Sequence, residues 1–144
     1  MSTLFTIGFA EKSAEDFFGL LIKNRVRLVI DIRLNNKSQL AGFTKKDDLR
    51  YFLKEIGGIE YVHNVDLAPT ENILKDYRNK AISWSDLEKS LLALVSKRRV
   101  IDTYSATDLD RACLLCSEHE PMKCHRSFIA ELFSKRYKIA INHL

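Results

Sequence analysis

The residues best suited to chemistry gather in one short segment, Leu114-Leu-Cys-Ser-Glu-His-Glu-Pro-Met-Lys-Cys-His-Arg126. It holds two thiols, Cys116 and Cys124, together with Glu118, His125 and Arg126. Cys124 precedes a run with helical periodicity, which sets it at a helix N-terminus. Unpaired backbone N–H groups and the helix dipole favour a thiolate or a bound anion there. Arg126 adds positive charge in the same turn, and His125 can donate or accept a proton. A second group is Asp31-Ile-Arg33, at the end of an apolar run. Asp31 suits a general base or a carboxylate that holds a hydroxyl, and Arg33 suits an anion clamp. A plain ion pair between the two is the competing expectation.

Cys113 and Cys116 form a C-x-x-C, but they lie in the unbroken apolar run Ala112–Cys116, which reads as a central strand. Residues i and i+3 of a strand point to opposite faces, so these two cannot hold one ion together. The pattern therefore assigns no metal. A site drawing on Cys116, Cys124 or His125 with His63 stays open, as does a reversible Cys116–Cys124 pair. Cys113 reads as core. The chain has no P-loop, GxGxxG, HExxH or GxSxG.

These side chains need elements to position them. Strands are predicted over 4–9, 27–33, 60–65, 112–116 and 139–143 from short apolar or alternating runs. Capping patterns place helices after Ser13 and Thr44, a short one from Thr70 to Ala81, and a longer one after Ser83. Ile22, Ile56, Trp84 and Leu94 fall on the inward stripes of these helices. A last helix spans Cys124–Tyr137, and 102–110 reads as weakly structured. Strands alternating with helices predict one α/β domain of three layers, with a mostly parallel sheet flanked by helices. Ligands of such sheets bind beyond the carboxyl ends of the strands. Gly8, Asp31, Arg33, His63, Cys116 and Glu118 all fall at those ends.

The chain has 144 residues, 46% of them hydrophobic and 29% charged, with a formal net charge of +4. That suits one soluble domain with its own core and excludes a disordered or fibrous chain. An odd count of three cysteines argues against a secreted disulfide framework, and no apolar run reaches membrane-spanning length. A cytoplasmic protein without membrane contact is expected. The first 72 residues carry ten charges of each sign, so the basic surplus falls in the half that holds Cys124, His125 and Arg126. A small anionic ligand fits this better than a long polyanion.

The chain resembles the family known as domain of unknown function number 488. The matching pieces are Thr6-Ile-Gly8, Asp31-Ile-Arg33, Ser38 through Gly42-Phe43, Tyr61-Val-His63, Leu114-Leu-Cys-Ser-Glu118 and Cys124-His-Arg126. Phe9 and Ala10 depart from a commoner His or Tyr followed by Ser. The resemblance implies a compact Rossmann-like fold and a shared polar site, and it supplies no reaction. Two functions are expected to compete. One is an enzyme acting on a phosphate-containing or nucleic-acid-derived substrate, with Asp31, Arg33, Cys116, Glu118 and His125 as catalytic candidates. Gly8, Ser38, Phe43, His63, Cys124 and Arg126 are its binding candidates. The other is a non-catalytic nucleotide or nucleic-acid module, in which Lys37, Lys45, Lys46, Arg50 and Lys54 surround Phe43 as a stacking residue. Asp47, Asp48 and Glu55, interleaved among them, neutralise much of that charge.

Overall fold

Each of the five apolar runs forms a strand, and all five pair side by side in parallel. A computed structural model describes residues 2–35, 43, 45–117 and 124–144. The strands are β1 (Thr3–Gly8), β2 (Leu28–Asp31), β3 (Glu60–His63), β4 (Ala112–Cys116) and β5 (Ala140–His143). They lie in the order β3-β2-β4-β1-β5. The expected three-layer α/β architecture is present, with every strand parallel.

Alternation along the strands sends successive side chains to two separate cores. On one face Phe5, Ile7, Val29, Cys113 and Leu115 meet Phe17, Phe18 and Leu21 of α1 (Ala14–Lys23) and Leu49 and Leu53 of α2 (Lys46–Gly57). On the other, Leu4, Ile30, Ala112 and Leu114 meet α4 (Trp84–Arg98), α5 (Ala106–Leu109) and α6 (His125–Tyr137). α3 (Glu71–Arg78) leads into α4. Full burial of one such Leu or Phe contributes about 1.5–3 kcal/mol. Two cores of this kind, one on each face of the sheet, supply the main hydrophobic stabilisation of the fold.

Local chemistry sets the helix ends. Ser13 and Thr70 accept from the backbone N–H groups of Asp16 and Ile73, and Ser83 with Asp86 forms a reciprocal capping box. Ser105 with Asp108 forms a second one, which makes α5 in a stretch expected to be weakly structured. The Arg27 guanidinium fixes its far end by donating to the carbonyls of Asp110 and Thr107, both at 2.8 Å, and of Asp108. Other differences from the pattern are also local. The N-cap of α2 is Lys45, without a side-chain bond, and Gly58 closes the helix at φ 62°. Thr44 lies outside the described residues. β3 stops at His63 because the Asn64 side chain accepts from Asp66 N–H and tightens the backbone into a 3₁₀ turn. Ile22 and Ile56, expected inward, are 46% and 51% exposed and rim an apolar groove between α1 and α2.

β5 carries a titrating contact. His143 Nδ1 lies 2.6 Å from Thr6 Oγ1, and burial, aided by nearby Arg126, pushes this imidazole below its usual value of 6.5. The unfolded chain therefore takes up the proton first. Stability should be full above about pH 6.5 and fall as the pH drops below it toward the folded value. Urea midpoints measured against pH should show that slope, and His143→Asn should flatten it. Part will remain, because burial depresses His125 in the same direction. An unchanged slope in His143→Asn would show that the Thr6 contact plays no part.

The layer arrangement also places the site. β4 lies between β1 and β2, whose following helices α1 and α2 cover one face, whereas α6, which follows β4, covers the other. The chain thus departs in opposite directions around the end of β4. That divergence opens a crevice at a topological switch point.

Candidate functional site

Two elements deliver the reactive groups to this crevice. Cys116 is the last residue of β4, Cys124 is the N-cap of α6, and His125 is the first residue of that helix. Cys116 and Cys124 are joined as a disulfide, with Cα atoms 7.0 Å apart. The His125 ring stands beside it, with Nδ1 3.6 Å from Cys116 Sγ and Nε2 2.7 Å from the carbonyl oxygen of Ile32. A carbonyl only accepts, so Nε2 carries the proton and Nδ1 presents its lone pair to the sulfur. Burial favours the neutral ring and lowers the His125 pKa, against the opposing influence of the Ile32 hydrogen bond, which favours the protonated form.

A cleft of about 280 Å3 opens over these groups. Its floor is Arg33, Cys116, Ser117, Cys124 and His125, and its wall comes from α3 and α4 through Leu74, Tyr77, Arg78, Trp84 and Leu87. The rings of Tyr77 and Trp84 meet edge to face at 5.4 Å. The wall therefore offers apolar and aromatic surface beside an exposed arginine. Periodicity puts Trp84 on the buried stripe of α4, but it is only half-buried and faces the cleft.

Arg33 is held from below. Its Nε and Nη2 donate to Asp31 Oδ1 and Oδ2 at 2.9 and 2.8 Å, and Tyr61 donates its hydroxyl to Oδ2 at 2.6 Å. The guanidinium carbon lies 5.3 Å from the centre of the Phe9 ring. Asp31 is fully buried in this arrangement and does not line the cleft. Its carboxylate is occupied in orienting Arg33, as the ion-pair expectation had it.

The remaining candidates separate. Gly8 pairs with Cys116 across β1 and β4. His63 turns its Nε2 to the Arg33 carbonyl at 2.6 Å and is not in the cysteine cluster. Arg126, the second residue of α6, is fully buried and does not line the cleft. Phe43 packs against Phe17 and Phe18 at 5.5 and 5.8 Å, in the groove between α1 and α2. Ser38 and Glu118 lie outside the described residues. Pattern reading missed Tyr61, Tyr77, Arg78 and Trp84. The one available signal was a lone tryptophan in the first turn of a helix.

The geometry is thus that of an all-parallel Rossmann-like α/β protein with a Cys-Cys-His cluster in a switch-point cleft. The chain belongs to the family described as Domain of unknown function DUF488, whose model matches residues 13–133. Thr6-Ile-Gly8 precedes the matched segment, while the Asp31-Ile-Arg33 and Cys124-His-Arg126 motifs lie inside it. Neither a curated protein nor a solved structure matches the chain. Among the described residues no helix is long and apolar enough to cross a membrane.

Proposed function

We propose that this protein is an enzyme acting on a small anionic substrate, phosphate-containing or derived from a nucleic acid, whose reacting atom lies against Cys116, Cys124 and His125. One observation carries the reading: a single cleft combines that cluster and Arg33 on its floor with Arg78, Tyr77 and Trp84 on its wall. The arginines suit an anionic group and the aromatic wall a planar ring. Together they describe a nucleotide better than a bare anion. The α2 face is a weaker alternative, since Arg50 is laid over the Tyr61 ring at 5.4 Å and Phe43 is packed among aromatics.

Calorimetric titration with nucleoside monophosphates and with inorganic phosphate tests this reading. Loss of one stacking ring costs about 1–3 kcal/mol, so Trp84→Ala should weaken nucleotide binding by about 5- to 150-fold. Binding of inorganic phosphate should be unchanged. Arg78→Ala should weaken both. Equal losses for the two ligands in Trp84→Ala would remove the ring from the proposal, and nucleotide binding without turnover would reassign the cleft to a binding module.

A further inference from the structure

We propose that in the reduced protein Cys116, Cys124 and His125 bind one zinc-type divalent cation and leave its fourth coordination position open to the cleft. This rests on reading the cleft as the functional site and names what its reactive cluster holds.

The three ligand atoms lie within 4.8 Å of one another. Zn–S bonds of about 2.3 Å and Zn–N bonds of about 2.0–2.1 Å give a tetrahedral S···N edge of about 3.6 Å. Cys116 Sγ and His125 Nδ1 already stand 3.6 Å apart. The second shell is built as well. His125 Nε2–H donates to the Ile32 carbonyl at 2.7 Å, which fixes the tautomer and aims Nδ1 inward, as the outer partners of metal-bound imidazoles do. Cys124 heads a helix, where backbone N–H groups favour thiolate charge, and Cys116 ends a central strand, so two ligands sit on rigid supports. Two sulfurs and one imidazole select zinc over magnesium or calcium. Three protein ligands and an accessible fourth position form the catalytic type of site, not the closed structural type. All three ligands line the cleft, so substrate can reach that position.

The disulfide is the oxidised alternative of the same cluster. Two molecules of a small thiol cleave it, becoming one disulfide and leaving a proton on each cysteine sulfur. The cation then displaces both protons, and the sulfurs part to a tetrahedral edge of about 3.8 Å. The metal itself undergoes no change of oxidation state.

Cobalt(II) titration of the full chain, reduced with a phosphine and kept free of oxygen, tests the site. The expected result is thiolate-to-cobalt charge transfer with the intense ligand-field bands of a tetrahedral ion, saturating at one cobalt per chain and bleached by zinc. Cys124→Ser and His125→Ala should each lower cobalt affinity by more than about 100-fold, beyond the loss of an outer-shell partner. Cys113→Ala should not change it. If a variant fails to fold, the wild type decides: zinc must protect Cys116 and Cys124 from alkylation. The proposal is overturned by a reduced, folded protein without the tetrahedral spectrum, by that spectrum persisting in His125→Ala, or by alkylation indifferent to zinc. Nucleotide titration of the metal-free reduced protein separates the two readings. Nucleotide binding without a cobalt site removes only the metal, and a cobalt site without nucleotide binding removes only the substrate.

Discussion

Asp31→Ala is expected to lower folding stability by about 3–5 kcal/mol, the range for removing one partner of a buried ion pair. For a chain of this size that corresponds to a fall in Tm on the order of 10 °C. The cause is what the substitution leaves behind. Arg33 is only 3% exposed, and two of its guanidinium nitrogens and its own backbone N–H donate to this one carboxylate. The Tyr61 hydroxyl also loses its acceptor at Oδ2. Losing this carboxylate in so buried a setting costs far more than the intact pair contributes. Replacing both partners by apolar residues, Asp31→Leu with Arg33→Met, should therefore be less damaging than Asp31→Ala alone. The double variant should still lose anion binding, because Arg33 reaches the cleft floor. Urea melts of the two variants check the order. If Asp31→Ala loses less than about 1 kcal/mol, Arg33 finds water instead, and its orientation does not depend on Asp31.

Much of this site was legible because it follows strand geometry. Asp31 and Arg33 stand two residues apart at the end of an apolar run, and opposite charges so close in the chain make an ion pair the plain expectation beside a catalytic one. The opposite-face argument separated Cys113, packed with Leu115 under α1 and α2, from Cys116 in the cleft. What escaped was contact between elements remote in sequence. Tyr61 reaches Asp31 only through the register of β2 with β3, in which Val29 pairs with Tyr61 and Asp31 with His63. Helical periodicity marks Trp84 as apolar-facing but cannot tell a core from a cleft wall, since that depends on how α3 and α4 pass the end of β4. Phe43 stands among lysines in the chain, which suggested stacking on a nucleic acid. Burial against Phe17 and Phe18 gives its ring a better-satisfied place.

Reduction of the Cys116–Cys124 bond, with no metal added, is expected to lower stability by about 2–3 kcal/mol. That is the chain-entropy value for closing so short a loop. The two cysteines are eight positions apart, so the constraint acts locally on the junction between β4 and α6. Urea melts with and without a phosphine measure the effect. The double variant Cys116→Ser with Cys124→Ser should be insensitive to reductant. Cys113 supplies an internal control, because burial raises its thiol far above the ordinary range and keeps it unreactive in the folded state. Zinc added to the reduced wild type should restore the loss, since a ligand at 100 times its Kd contributes about 2.7 kcal/mol. The serine variant should gain nothing. Disulfide and metal are then interchangeable clamps of similar strength on one junction, and only the metal form leaves a coordination position facing the substrate. If thiol titration shows the bond open and the melt does not move, the junction is held by packing alone, and neither clamp is needed to keep the cleft floor in place.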